Sequence, residues 1–280
     1  MDTDLGPLRQ VPDPARRAQQ ASQLVSQYQV AVNELSRIRR EAIEELIGAG
    51  RSQTDIAQLL GMTRARVGQL LSSGPKTERA LLGTGPLTIA VGGKRELDSR
   101  GAGRVVAQED LNAFNQLSEL ARTLGLDAAT YEVIEPPGFV DLSRDNLVVI
   151  CGPRLSPVLA QILDSDRHLR FVRHDHDWFL RDTVTETEFR SPMDQGQHRD
   201  YAYLGRLPRL DGRGFFLYIA GIHAVGAPGA VHYLANNLSE LYTEVKAKRF
   251  STLIECEFDP DTLAITSSWR VTPIYGPDSM

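Results

Sequence analysis

The sequence predicts a mixed α/β protein in two parts: an all-α amino-terminal part, then a mostly parallel α/β sandwich with an antiparallel edge. Three observations carry this expectation. From Ala15 to about Gly48, apolar residues recur at spacings of three and four, the period of a helix. From Leu87 onward, short apolar runs end in glycine and lead into amphipathic stretches, the rhythm of buried parallel strands joined by helices. The chain has 280 residues, more than one ordinary domain needs, with 41% hydrophobic and 24% charged residues, the balance of a globular protein.

Residues 1–14, rich in Pro and Asp, are expected to fray. The helical period that follows is marked by Leu24, Tyr28, Ala31, Leu35, Ile38, Ala42, Ile43 and Leu46, and fits one long helix or two with a soft break. This is more helix than a small domain core requires. A homodimer is therefore expected, with the stripe meeting the same stripe on a second copy; the alternative, in which it folds back on its own domain, stays open.

The segment Gln53–Leu71, QTDIAQLLGMTRARVGQLL, has the requirements of a helix-turn-helix. Ile56, Ala57 and Leu60 supply one apolar face, Gly61 takes the turn, Met62 plugs the junction, Thr63 caps the next helix, and Val67 and Leu70 dock it. Arg64, Ala65, Arg66 and Gln69 are left facing outward, and Arg and Gln pair with guanine and adenine edges in the major groove. Arg51 clusters with Arg64 and Arg66 at the binding face, Ser72, Ser73 and Lys76 follow at the far end, where phosphate contacts are common, and Gln53 and Thr63 complete the candidate DNA-binding set. Residues 35–73 resemble the sigma-region-4-like helix-turn-helix of bacterial transcriptional regulators, specifically at Ile56, Ala57, Gly61, Arg64, Val67 and Leu70. That resemblance implies sequence-specific binding of double-stranded DNA by a domain spanning residues 15–75.

Charge is distributed consistently with this. The formal net charge is -5, but residues 1–82 hold 11 Lys and Arg against 9 Asp and Glu, leaving a surplus of seven acidic groups for the rest. The basic part suits a polyanion, and the acidic part needs a different role. The two cysteines, Cys151 and Cys256, lie in apolar runs and read as buried small hydrophobes rather than a disulfide or metal set, as in a reducing cytoplasm. The first ten residues lack a signal-peptide pattern and no apolar run reaches spanning length, so a cytoplasmic protein without membrane contact is expected.

Gly, Pro and Ser in residues 72–86 indicate an interdomain connection, with 76–86 as the linker proper. In the second part, 87–280, strands are expected at 87–91, 130–134, 146–151, 171–172, 215–220, 253–258 and 265–275, and helices at 110–124, 156–163 and 230–246. Three glycine-bearing loops follow strands: Gly92, Gly93, Lys94 and Arg95; Gly152, Pro153, Arg154 and Ser156; and Gly221, His223 and Gly226. In a parallel sheet such loops share one edge, where free backbone amides favour anions. Over residues 87–240 the layout resembles the Rossmann-like superfamily that includes SLOG and TIR domains, which implies a nucleotide-sensing domain. No dinucleotide or Walker motif is present, and no cofactor is expected.

Three further groups bear on function. Asp200, Tyr201, Tyr203 and Arg206 form either a base-stacking and edge-reading set or an ordinary edge strand. His174 and His176 alternate with Asp175 and Asp177 in a run that reads as a solvated loop more readily than as a metal site. Glu255 and Glu257 share one face of a late strand. The expected function is a ligand-responsive transcriptional regulator whose second domain binds a small anionic, nucleotide-like effector, with Asp200 and Arg206 among the ligand contacts. The alternative is a nucleotide- or NAD-processing hydrolase with a regulatory DNA-binding module, for which Asp200 and Glu255 are the candidate carboxylates; no residue is assigned as catalytic or metal-binding.

Overall fold

A computed structural model describes residues 5–73, 76–98, 101–126, 129–135, 138–175 and 177–276. By its backbone contacts the chain separates into two compact units, with the boundary between Thr77 and Glu78.

The first unit is helical: α1 (Gly6–Arg9), α2 (Pro14–Gly48), α3 (Gln53–Leu59) and α4 (Arg64–Ser73). Helix α2 is a single 35-residue helix, entered through Asp13, which accepts a bond from the Ala15 amide, with Pro14 in the first turn. Its carboxy-terminal end packs on the two short helices around Ile43, Ile56, Ala57 and Val67, with Leu46, Met62, Leu70 and Leu71 at the margin. Ser52 and Asp55 form a reciprocal capping box at the start of α3. Between α3 and α4 the chain turns through Gly61, whose φ of +63° suits a residue without Cβ. The Thr63 hydroxyl then accepts from the Arg66 amide at 3.1 Å, the cap expected from sequence. Leu60 departs from its expected inward place: α3 ends at Leu59, and the side chain of Leu60 is 38% exposed.

The second unit is a mixed α/β structure. Its elements are β1 (Thr88–Asp98), β2 (Gly101–Val106), α5 (Gln108–Thr123), β3 (Thr130–Ile134), β4 (Leu147–Ile150), α6 (Pro157–Leu163), β5 (Leu169–His174), β6 (Asp177–Asp182) and β7 (Thr187–Phe189). They continue with β8 (Arg199–Pro208), β9 (Phe215–Gly221), α7 (Gly226–Val245), β10 (Phe250–Phe258) and β11 (Ile265–Arg270). The main sheet runs β11-β10-β8-β9-β4-β1, where β1 pairs with both β3 and β2. Thr88–Gly92 of β1 pairs in parallel with β3, and its remainder, Gly93–Asp98, forms an antiparallel hairpin with β2. The β1–β3, β1–β4 and β4–β9 pairings are parallel, while β9–β8, β8–β10 and β10–β11 are antiparallel. The antiparallel part is thus half the sheet, where the sequence predicts only an edge.

Burial explains the layers. Leu147–Ile150 is buried at every position, as a strand covered on both faces must be. On one face, Ile89, Val91, Val148, Ile150, Leu217 and Ile219 pack against α5 (Ala113, Leu117) and α7 (Leu234, Leu238). On the other, Ala90, Val149, Tyr218 and Ala220 meet α6 (Leu159, Ile162) and the small antiparallel sheet β5-β6-β7 through Leu169 and Leu180. A second sheet therefore does part of the covering that the sequence assigns to helices.

Four expectations are corrected. Residues 78–86 are not a free linker, because Ala80, Leu81 and Leu82 are buried in the core of the second unit. Gly226–Gly229 is not turn but the first turn of α7, where Gly229 lies so close to Cys256 that a Cβ would collide with its sulfur. HRDYAYLGRLPR forms an interior strand, β8, between β9 and β10. The amino-terminal segment expected to fray holds α1 at Gly6–Arg9, while residues 1–4 lie outside the described residues.

Candidate functional site

Strand β1 continues through α5 to β3 on one side, and the chain then crosses to β4 on the other. This reversal opens a crevice beyond the carboxyl ends of β4 and of the parallel part of β1, the place where open α/β sheets hold ligands. A cleft lies there, enclosing about 510 Å³ of empty space including its open mouth. All three sequence-predicted loops contribute to it: Lys94, where β1 has left its parallel pairing; Gly152, Pro153 and Arg154 beyond β4; and Gly221 and His223 at and beyond the end of β9. They converge because their strands are parallel neighbours, so their carboxyl ends lie at one sheet edge.

Other predicted contacts are held elsewhere. Gly92 and Gly93 are buried against Cys151 and Val133, and Arg95 is exposed on the β1–β2 hairpin. Ser156 is fully buried; its hydroxyl donates to the Gly138 carbonyl and accepts from the Leu159 amide to cap α6. Gly226 packs against the Asp200 carboxylate. Asp200 itself is buried beneath the third loop, accepting from the Ser191 hydroxyl at 2.7 Å and the His223 amide at 2.9 Å. Burial raises its carboxyl to about 6, against the pull of those hydrogen bonds and of His223. Its role is to shape the loop. Arg206 is remote because β8 runs antiparallel to β9: Ala202 pairs with Gly221 at the cleft, whereas Arg206 pairs with Leu217, about 13 Å down the strand. Its guanidinium lies 5.0 Å from the centre of the Phe215 ring.

The rest of the constellation read on this strand is also structural. Tyr203 is fully buried and donates to Asp166 at 2.8 Å, and Tyr201 packs its ring edge-on to Phe189. Glu255 is buried on β10, where it accepts from Arg199 at 2.8 Å, and it does not line the cleft. His174 and Asp175 lie exposed at the β5–β6 turn, and His176 lies outside the described residues. Among the described residues no cluster of three or more His, Cys, Asp or Glu is arranged to hold a metal ion.

The sequence reading missed several lining residues. Asp110, in the first turn of α5, faces the cleft; burial raises its carboxyl to about 7, with Glu109 adding to the rise and Lys94 and Arg154 opposing it. Cys151 forms part of the wall, and burial pushes its thiol up to about 12, so it is present as the neutral thiol. Phe171 and Trp178, paired edge to face across the β5–β6 hairpin, supply aromatic surface. Trp178 stands two residues beyond His176, in the very run where the histidines drew attention. His223 Nε2 lies 2.8 Å from the Asp194 carboxylate, which orients the ring at the cleft's rim. The cleft therefore offers two cations, one carboxyl of easily changed charge, an oriented imidazole and a stacking face.

In the first unit, Arg51, Thr63, Arg64, Ala65, Arg66 and Gln69 are exposed, and Gln53 is half-buried. Arg66 Nη1 donates to Gln69 Oε1 at 2.6 Å, so these two groups form one polar surface on α4. Lys76 is exposed beyond α4. Among the described residues no helix is long and apolar enough to cross a membrane.

No protein-family model, curated protein or solved structure matches this chain.

Proposed function

We propose that the protein is a ligand-responsive, DNA-binding transcriptional regulator. The observation that carries this is the division of labour on α4: Val67 is buried in the helical core while Arg64, Arg66 and Gln69 stand exposed. In this reading α3 and α4 are a helix-turn-helix, and α4 enters the major groove. Arg64, Arg66 and Gln69 read base edges there, and Arg51 and Lys76 meet phosphates. The regulator acts as a homodimer on a two-fold related site.

The effector is a small nucleotide-like anion bound in the switch-point cleft. Lys94 and Arg154 attract its phosphate, and Trp178 and Phe171 stack its base. For the effector to regulate, it must prefer one of two arrangements of the dimer; a preference of about 1–3 kcal/mol changes operator affinity roughly 5- to 150-fold.

Selection of duplexes from a random pool, followed by binding measurements on the recovered sequence, tests the DNA part. The double variant Arg64→Ala, Arg66→Ala is expected to lose specific binding while keeping its fold. Operator binding by that variant at wild-type affinity would remove the proposal's core.

One observation favours a second reading, a nucleotide hydrolase: His223 Nε2 lies 2.8 Å from the Asp194 carboxylate, and His223 and Asp110 line the same cleft. This pair replaces Asp200 and Glu255 as the groups to test. Sustained nucleotide turnover that disappears in His223→Ala would establish it.

A further inference from the structure

The length of α2 before Ile43 is not explained by the core it serves. Val25 is 65% exposed, Val32 53%, Leu35 65% and Ile38 48%, with Tyr28 also exposed between them. These positions fall on one side of the helix at heptad spacing, Val25 and Val32 as a, Tyr28 and Leu35 as d, and Leu24, Ala31 and Ile38 on the g flank. The opposite side carries the helix's ion pairs: Arg37 with Glu34 at 2.6 Å and Glu41 at 2.7 Å, and Arg40 with Glu44 at 2.8 Å. One face thus carries charge pairs, and the other is an apolar stripe about 21 Å long from Leu24 to Ile38.

We propose that this stripe binds the α2 helix of a second copy of the chain in antiparallel orientation, with Ala31 on the two-fold axis. The inference rests on the dimeric part of the reading above and is independent of its DNA and ligand parts. In an antiparallel pair each layer sets an a residue beside a d residue, and g positions face g positions. One register then satisfies the whole face. Val25 meets the partner's Leu35, Tyr28 meets the partner's Val32, Leu24 meets the partner's Ile38, and Ala31 meets the partner's Ala31.

Charge selects the same register. Arg17, at the g position near the start of α2, falls opposite the partner's Glu45, and symmetry makes this pair twice. Arg39, an a position, falls beside the partner's Ala21, where its guanidinium can reach past the small side chain to solvent. A parallel pair does the reverse. It stacks Arg39 on the partner's Arg39 inside the seam and sets apolar Leu24 and Ala31 against the partner's Gln29 and Ser36. Like charges and misplaced polar groups both count against that arrangement.

The full chain is tested by light scattering and by oxidative cross-linking. Cys151 and Cys256 are buried, so the unsubstituted protein serves as the background. The expected results are a dimer in solution, a disulfide-linked dimer for Val25→Cys with Leu35→Cys together, and none for Val25→Cys alone. Glu45→Arg is expected to weaken the dimer roughly 2- to 30-fold, and adding Arg17→Glu to restore it. A monomer at all accessible concentrations would overturn both this inference and the dimeric part of the function. A dimer in which Val25→Cys alone cross-links would overturn the antiparallel register only, leaving the regulator reading intact.

Discussion

Asp110 offers the sharpest test of the cleft. Asp110→Asn keeps the size and hydrogen-bonding shape of the side chain and removes its titration. The carboxyl is raised from the ordinary 3.8 to about 7, and holding it ionised in the folded state costs about 4 kcal/mol on that displacement. The group keeps some contact with water, and screening brings the usable figure to about 2–3 kcal/mol. Because the folded value lies above the unfolded one, the folded state holds a proton that the unfolded chain releases between about pH 4 and pH 7. Wild-type stability should therefore fall as pH rises through that window and level off above it. Asp110→Asn should match the wild type near pH 4 and exceed it by roughly 2–3 kcal/mol at about pH 8.5. Urea denaturation of both proteins across this range reads the difference directly. Stability curves that stay parallel from pH 4 to 8.5 would refute the burial of a proton in the cleft. The same proton bears on the ligand: an anion on Lys94 and Arg154 is repelled by ionised Asp110, so affinity for inorganic phosphate or a nucleotide should decline above pH 7 in the wild type and not in the variant.

Three further outcomes are expected. Gly229→Ala drives a methyl into both Sγ and Cβ of Cys256 and should cost about 1–3 kcal/mol in denaturation experiments, with only part of the loss recovered on adding Cys256→Ala, which leaves the Cβ in place. Thr63→Ala removes the oxygen that accepts from the Arg66 amide and should lower the stability of the helical unit by about 1 kcal/mol, read from the melting of a 1–77 fragment if that fragment folds and from hydrogen exchange in the full chain otherwise. Trp178→Ala removes the stacking face and should weaken nucleotide binding by calorimetry roughly 5- to 150-fold, with little change in the affinity for inorganic phosphate.

Elements whose signal is local were legible in the chain. The 3.6-residue period marks α2 and α5, the all-apolar run marks β4, and Gly61 with Thr63 marks the turn and cap between α3 and α4. Local chemistry decides these features, because helix period, positive φ and side-chain capping involve residues a few positions apart. The glycine loops at 92–95, 152–156 and 221–226 were legible as candidates for the same reason. Their meeting at one edge was also foreseeable, since parallel neighbours must end together.

What tertiary structure alone decided is which side chain at each loop faces the cleft and what stands opposite. Arg206 was set apart from the cleft by the direction of β8, and direction depends on a pairing partner distant in sequence. Asp200 and Ser156 proved to be internal supports, because a polar residue beside a glycine turn has the same sequence signature whether it binds a ligand or caps the backbone. Asp110, Phe171 and Trp178 reach the cleft from α5 and from the small sheet, elements that carry no glycine signal and arrive only through packing. A sequence dictates the short-range geometry of its own backbone; the surroundings of a charged group, and therefore its proton and its chemistry, come from atoms that folding brings to it from elsewhere.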